Sequence, residues 1–206
     1  MSNATMDDLV GRLQTLKAEL EEEIDSILTE RRKQFQYTLE QGKVRFKESM
    51  KTLQRHHKTG ILRYLSTARL GHLLTAPLIY SLVIPFVLMD IMITFYQIVC
   101  FRIYAIPRVE RKDYIVIDRQ KLAYLNAIEK VHCVYCGYCN GLVEYVREIS
   151  ARTEQYWCPI KHSRRTPDPH RLMDKFVDFG DADAYKKRLV ELQHEITEMK
   201  RKLQDD

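Results

Sequence analysis

The sequence lacks the short signatures of the common enzyme classes. It has seven glycines, and none of them belongs to a phosphate-binding loop or to a GxSxG turn; the metalloprotease pattern HExxH is missing as well. These patterns therefore give no indication of a nucleotide-dependent enzyme, a serine hydrolase or a zinc protease. Glu144 and Glu148 share a helix face and could act as acid and base, but salt bridges with neighbouring arginines are the more ordinary explanation. Catalysis is left open and is not indicated.

The first residues do not have the pattern of a secretory signal peptide, because they are followed by Asp7 and Asp8 and not by an apolar core. The chain has five cysteines, and four of them are close together in sequence, which indicates a reducing compartment and a metal more than a disulfide framework.

The net charge of +5 comes from abundant residues of both signs, so the basic excess is local. We expect no nucleic-acid partner and favour an anionic membrane surface.

An apolar block covers residues 73–106, in a chain whose overall mean hydropathy is −0.36. The block is longer than one membrane span and shorter than two. Pro77 and Pro85 interrupt helical hydrogen bonding, and Asp90 lies near the middle, where it must be neutral, near water or paired. Basic residues flank both sides, which favours a hairpin bent near Pro85 to Asp90 over a single kinked span. A short amphipathic helix precedes the block, and the two together are predicted to form one membrane segment, residues 61–106.

Both ends of the chain carry the apolar spacing of coiled-coil helices. Residues 1–60 are predicted to form one long helix, with an apolar stripe at three- and four-residue spacing that begins at Leu9. Residues 181–206 are predicted to form a second such helix with its stripe from Tyr185 to Leu203, plausibly packed against the first. These stripes predict self-association or a protein partner.

The clearest chemical pattern is a group of four cysteines and one histidine. The residues are Cys133, Cys136, Cys139, Cys158 and His162. A CxxC pair followed by glycine is similar to the metal-binding knuckle of rubredoxins and zinc ribbons, in which a tight turn directs both thiolates to one ion. A structural zinc site is the first interpretation. An iron–sulfur cluster, thiol redox chemistry and buried cysteines without a ligand remain alternatives.

The segment 107–180 is predicted to form a small helical Cys/His domain. Residues 113–118 suggest a short strand, and Asp118 could cap a helix that ends near Val131. A cysteine loop would follow, and Asn140–Gly141 would start a second helix that ends at Cys158–Pro159. The two cysteine elements would then lie at opposite ends of a helix about 27 Å long, which argues against one shared site.

Around the second cysteine element, polar, aromatic and basic side chains are unusually dense. This composition suits an anionic ligand or a protein partner. The predicted partner surface consists of Arg152, Glu154, Trp157, Lys161, Arg164 and Arg165.

The stretch from Pro107 to Gly180, with Cys133-x-Tyr-Cys136 and Glu154-Gln-Tyr-Trp-Cys-Pro-Ile-Lys-His162, resembles a family of uncharacterised bacterial membrane proteins. The resemblance implies a bacterial inner membrane and supplies no activity. We therefore expect a mainly α, membrane-anchored scaffold or recruitment protein, with both termini cytoplasmic and zinc as a structural element. The alternative is a membrane-associated redox module that passes electrons near the quinone pool.

Overall fold

The structure is a computed structural model that describes residues 2–40 and 43–205, without the side chains of 2–7, 10, 14, 43 and 200–205. Helices account for 71% of the chain and strands for 5%, so the predicted mainly α class is confirmed. The helices are α1 (Ser2–Gln34), α2 (Glu48–His56), α3 (Ile61–Thr67), α4 (Leu70–Ser81), α5 (Val83–Tyr96), α6 (Arg111–Tyr114), α7 (Ala127–Trp157) and α8 (Ala182–Asp205).

The predicted single helix over residues 1–60 is wrong, because α1 ends at Gln34. Gln36 has a positive φ of 50°, and strands β1 (Tyr37–Glu40) and β2 (Lys43–Phe46) then form an antiparallel hairpin. Tyr37 pairs with Phe46 across the hairpin, with ring centroids 5.4 Å apart. Aromatic and β-branched residues on both sides of a glycine favour this hairpin over a helix.

The apolar block is helical to Ile103 apart from a turn at Leu82, and it does not fold back between Pro85 and Asp90, as the hairpin prediction required. α4 and α5 meet at Leu82, and a five-residue π-helical turn, Gln97–Phe101, continues α5. Pro85 lies in the first turn of α5, where its missing N–H is not needed, and its ring excludes a hydrogen bond to the carbonyl of residue 81. Of the two predicted forms, the geometry is that of a kinked helix.

Residues 102–126 cross over the surface of α7 with little regular structure. The predicted strand at 113–118 is replaced by the short helix α6 and an extended segment, and Arg119–Lys121 is a single 3-10 turn. The predicted helix to Val131 begins later than expected, because Asn126 caps α7. The Asn126 side chain accepts from the Glu129 amide at 3.1 Å and Glu129 accepts from the Asn126 amide at 2.8 Å, a complete capping box.

The C-terminal helix α8 packs against α7. Leu192 and Ile196 of its apolar stripe are fully buried, and Ile196 belongs to the same core cluster as Leu142 and Tyr145 of α7. The predicted pairing of this helix with α1 is therefore not seen among the described residues. Phe101 and Ile106 reach the same core from the end of the apolar block, so the segments 61–106, 107–180 and 181–206 share one core.

Candidate functional site

Helix α7 carries three of the predicted metal ligands, and it runs through them without a loop. Cys133, Cys136 and Cys139 lie on successive turns of a continuous 31-residue helix. The predicted cysteine loop and the helix restart at Gly141 are both wrong. Cys133 and Cys136 are three residues apart and share a face of the helix. Over the six residues from Cys133 to Cys139 the helix rotates by about 240°, so Cys139 points well away from Cys133.

The remaining predicted ligands, Cys158 and His162, follow the far end of α7. Cys133 and Trp157 are separated by 24 residues of helix, or about 36 Å. Across the described side chains, no three His, Cys, Asp or Glu residues come close enough to hold a metal ion together. The residues present do not fit either a tetrahedral zinc site or an iron–sulfur cluster.

The cysteines differ in their environments as well as in position. Cys136 and Cys158 are exposed, whereas Cys133 and Cys100 are partly buried and Cys139 is buried. Burial raises the pKa of the Cys139 thiol, and the nearby Tyr135 hydroxyl only partly offsets this. Cys139 therefore behaves as a core residue and not as a reactive thiolate.

The glycines of the cysteine motif allow close packing. A Cβ on Gly137 would lie 3.1 Å from the carbonyl oxygen of Val116. A Cβ on Gly141 would lie 2.5 Å from the carbonyl oxygen of Tyr114. The pair at i and i+4 forms a shallow channel in which the segment after α6 rests on α7. The sequence interpretation of a turn glycine missed this role.

The residues from Leu70 to Ile103 expose a continuous set of large apolar side chains, here called the apolar face. Within the described chain, Leu70–Phe101 is the one helical stretch long and apolar enough to cross a membrane, with a mean hydropathy of 2.2 and 0% of its 18-residue window buried. The apolar face consists of Leu70, Leu73, Leu74, Leu78, Ile79, Leu82, Val83, Ile84, Val87, Leu88, Ile91, Met92, Phe95, Ile98, Val99 and Ile103.

The opposite side of the same helix packs on α7 through polar contacts. Asp90 pairs with Arg111 at 2.7 Å, accepts a hydrogen bond from the Tyr138 hydroxyl at 3.0 Å, and lies 3.4 Å from the Thr94 hydroxyl. Of the three predicted states of this carboxylate (neutral, near water or paired), the structure shows the paired one, with Arg111 of the same chain. Burial and the hydrogen bond to Asp90 raise the pKa of Tyr138 to about 12.

A buried glutamine fixes the end of the apolar helix to the following loop. Gln97 is 1% exposed; its Oε1 accepts from the Val109 amide at 2.9 Å and its amide group donates to the Val109 carbonyl at 3.3 Å. It also donates to the hydroxyl of Tyr145. Sequence reasoning missed this residue, and its only signal was an amide in an otherwise apolar run.

A cluster of charged side chains lies in the core, and it includes Arg152, which was predicted to belong to the partner surface. Arg152 is 8% exposed, donates to Glu148 at 2.8 Å and donates to the Pro107 carbonyl at 2.7 Å. Glu148 also accepts from Arg171. Burial alone would raise the pKa of Glu148, but the hydrogen bonds from Arg171 and Arg152 lower it below its usual range. Arg152 is therefore not available to a partner.

The other residues of the predicted partner surface are dispersed. Glu154 bonds His170 at 3.0 Å, and Trp157 is 52% exposed beside the rings of Tyr104 and Tyr156. Lys161 pairs with Asp178 at 2.8 Å.

Arg164 and Arg165 line a basic pocket that Leu13 of α1 borders. The structure thus brings Lys161, Arg164 and Arg165 together and leaves Arg152, Glu154 and Trp157 apart from them.

Comparison of the chain with protein-family models, curated proteins and solved structures gives no match. Geometry alone therefore has to indicate the function. The apolar face and the stripe along α1 each expose many large apolar side chains, and both suit binding surfaces better than catalytic centres.

Proposed function

We propose that this protein is a membrane-anchored recruitment protein whose apolar face inserts into a lipid bilayer and whose helix α1 binds a protein partner. The observation that carries this proposal is the apolar face itself. Soluble monomers rarely leave more than a few hundred Å² of contiguous apolar surface in water. The sixteen large apolar side chains of the apolar face, exposed along a helix about 48 Å long, exceed that by a wide margin.

The contacts between the apolar helix and α7 favour insertion along the membrane surface. The Tyr135 hydroxyl donates to the Ile79 carbonyl at 2.9 Å, and Tyr96 and Thr153 share a hydrogen bond of 3.0 Å, so α7 lies alongside the apolar helix from Ile79 to Tyr96. α7 carries exposed Glu144 and half-exposed Arg147. A crossing helix would draw these charges into hydrocarbon, at a cost of several kcal/mol.

An in-plane anchor accounts for the ends of the chain and for the basic flanks. If the apolar face enters one leaflet and α7 stays on the aqueous side, both termini remain in the same compartment, in keeping with a cytoplasmic location at a bacterial inner membrane. Arg63, Arg69, Arg102 and Arg108 are exposed at the two ends of the apolar helix. Each would gain about 1 kcal/mol at an anionic lipid surface.

Helix α1 supplies the recruitment surface. Its large apolar side chains from Leu9 to Leu28 are 41% to 61% exposed, and its polar residues surround them. A solvated helix does not need such a stripe, whereas a helix that binds another helix does. The cysteines contribute no metal site to this function, because their positions on α7 do not converge.

Flotation of the full-length protein with liposomes tests the anchor. Ile84→Lys and Leu78→Lys place charges at apolar-face positions that are 71% and 70% exposed. We expect the double variant to lose most binding to vesicles that contain anionic phospholipid. Val190→Lys is the matched control, because Val190 is 70% exposed on α8, outside the apolar face. Equal flotation of the double variant and the control would contradict the proposal.

A further inference from the structure

The apolar stripe of α1 has a geometry that selects its partner. Leu9, Leu13, Leu16 and Leu20 are followed by Ile24 and Ile27, so eleven residues separate Leu9 from Leu20, Leu13 from Ile24, and Leu16 from Ile27. An eleven-residue repeat corresponds to about 3.67 residues per turn, close to the 3.6 of a straight helix. Over this short length the stripe therefore stays on one face of α1, and its side chains are all exposed.

Between Leu13 and Ile27 the stripe is also symmetric about Leu20. Leu16 and Ile24 lie four residues to either side of it, and Leu13 and Ile27 lie seven residues to either side. This part of the pattern is the same when the helix is read backwards, whereas Leu9 has Arg31 at its mirror position. A second copy of α1 can therefore cross at Leu20 in the antiparallel direction and match every one of these layers.

We propose that α1 pairs antiparallel with α1 of a second copy of this chain, with Leu20 at the two-fold axis. Leu13 then packs against the partner's Ile27 and Leu16 against the partner's Ile24. This inference rests on the proposed role of α1 as the recruitment surface and names its partner as the chain itself.

The charges beside the stripe select the antiparallel direction, since a parallel pair would also align the apolar layers. At about 100° per residue, Arg12 and Glu30 lie on one flank of the stripe, and Lys17 lies on the other flank. In an antiparallel two-fold pair, each flank meets the same flank of the partner, so Arg12 lies next to the partner's Glu30. In a parallel pair, each flank meets the opposite flank, and Arg12 lies next to the partner's Lys17.

The other flanking charges do not distinguish the two directions. Lys17 finds a glutamate in either direction, the partner's Glu21 when antiparallel and the partner's Glu19 when parallel. Glu23 meets a like charge in either direction. The contact of Arg12 is attractive in the antiparallel pair and repulsive in the parallel pair, so it favours the antiparallel direction. These side chains are all exposed, and Lys17 also pairs with Glu21 of its own helix at 3.7 Å.

Disulfide trapping in liposomes tests the pairing on the full-length protein. We expect Leu13→Cys/Ile27→Cys to form links between positions 13 and 27 under mild oxidation. The two positions lie about 21 Å apart in one helix, so such a link joins two chains. Cleavage after Arg12, Lys17 and Arg31 places them on different peptides, and mass spectrometry separates these links from those of the native cysteines. Links of 13 to 13 and 27 to 27 in excess would overturn the antiparallel direction.

Gly11→Cys/Thr29→Cys is the matched control. These positions also lie symmetrically about Leu20, nine residues to either side, but on the opposite face of α1. We expect at least tenfold fewer links between positions 11 and 29 than between 13 and 27. Equal yields would overturn pairing through the stripe. Flotation of the same samples separates the two proposals: protein that floats without 13–27 links leaves the anchor standing and contradicts the pairing.

A charge exchange gives a second test that does not require cysteines. Arg12→Glu replaces an attraction to the partner's Glu30 by a repulsion, so the dissociation constant of the dimer should rise about tenfold. Arg12→Glu/Glu30→Arg should restore it. In a parallel pair, Arg12→Glu would instead remove the repulsion from the partner's Lys17 and strengthen the dimer. Sedimentation equilibrium in detergent measures all three proteins, and a tighter dimer for the single variant would overturn the inference.

Discussion

The backbone of Tyr114 rests directly on Gly141, with its carbonyl oxygen 2.5 Å from the position that a Cβ on Gly141 would occupy. Gly141 is in the interior of α7, where glycine ordinarily destabilises a helix by about 1 kcal/mol relative to alanine. The cost is offset because the glycine lets the segment after α6 approach α7. The relation between these two residues explains the glycine of Asn140–Gly141, which was predicted to start a second helix.

Gly141→Ala should therefore destabilise the protein, against the helix propensity of alanine. We expect a loss of about 1 to 3 kcal/mol in the free energy of unfolding, because the Tyr114 and Ile115 backbone must move. Gly11→Ala in α1 is the control, since nothing lies within 4 Å of an added Cβ there. Chemical denaturation in detergent measures both. A stabilised Gly141→Ala protein would contradict the close packing.

Glu148→Gln should remove the carboxylate that neutralises buried Arg152. We expect a loss of about 3 to 5 kcal/mol, the usual cost of leaving one partner of a buried ion pair without the other. Glu144→Gln is the control on the same helix; its side chain is 57% exposed, and the change should stay within about 0.5 kcal/mol. Equal effects in denaturant titrations would show that the buried network is not stabilising.

The same network gives a pH dependence with a definite sign. Because the hydrogen bonds from Arg171 and Arg152 lower the pKa of Glu148 in the folded protein, the unfolded chain takes up this proton first as the pH falls. The contribution of Glu148 is complete well above about 4.3, the ordinary pKa of a glutamate, and is lost below it. Unfolding free energies between pH 3 and pH 7 should fall more steeply toward acid for the native protein than for Glu148→Gln.

Asp90→Ala should loosen the contact between the apolar helix and the segment around Arg111. The Asp90 carboxylate accepts from Arg111, Tyr138 and Thr94, so its removal leaves three donors without this acceptor. We expect amide hydrogen exchange over residues 108–115 to accelerate about tenfold, which corresponds to about 1.4 kcal/mol. Asp113→Ala is the control, because Asp113 is exposed in the same segment. Unchanged exchange in Asp90→Ala would show that another contact holds the segment.

The five cysteines should react with an alkylating reagent at rates that depend on their individual burial and not on a shared metal ion. We expect Cys136 and Cys158 to react fastest, Cys133 and Cys100 more slowly, and Cys139 slowest, because burial both shields its thiol and raises its pKa. Removal of metal ions with a chelator should leave every rate unchanged, as measured by mass spectrometry of the labelled peptides. A joint acceleration of Cys133, Cys136 and Cys158 after chelation would restore the zinc interpretation and contradict the cysteine geometry described above.

Local pattern in the sequence is sufficient to predict several features of this protein. The helical class, the apolar block, the C-terminal helix beginning after Gly180–Asp181 and the end of α7 at Cys158–Pro159 all follow from periodicity, capping and helix-breaking residues within a few positions. The need of Asp90 for a partner also followed from its apolar surroundings. The apolar spacing predicted that the N-terminal helix continues past Gln34. The hairpin of β1 and β2 forms there instead, because strand pairing outweighs a weak helical periodicity.

The contacts between these elements could not be predicted from local pattern. A CxxC pair followed by glycine has the same spacing in a knuckle and in a helix, and the backbone of Tyr114 to Ile117 lying on α7 distinguishes the two. Arg152 is charged and was expected on the surface, yet Glu148 and the Pro107 carbonyl satisfy it in the core. The partners of Gln97 and Asp90 lie 12 to 48 residues away. Such contacts depend on how the chain folds back on itself, and spacing along the sequence does not contain that information.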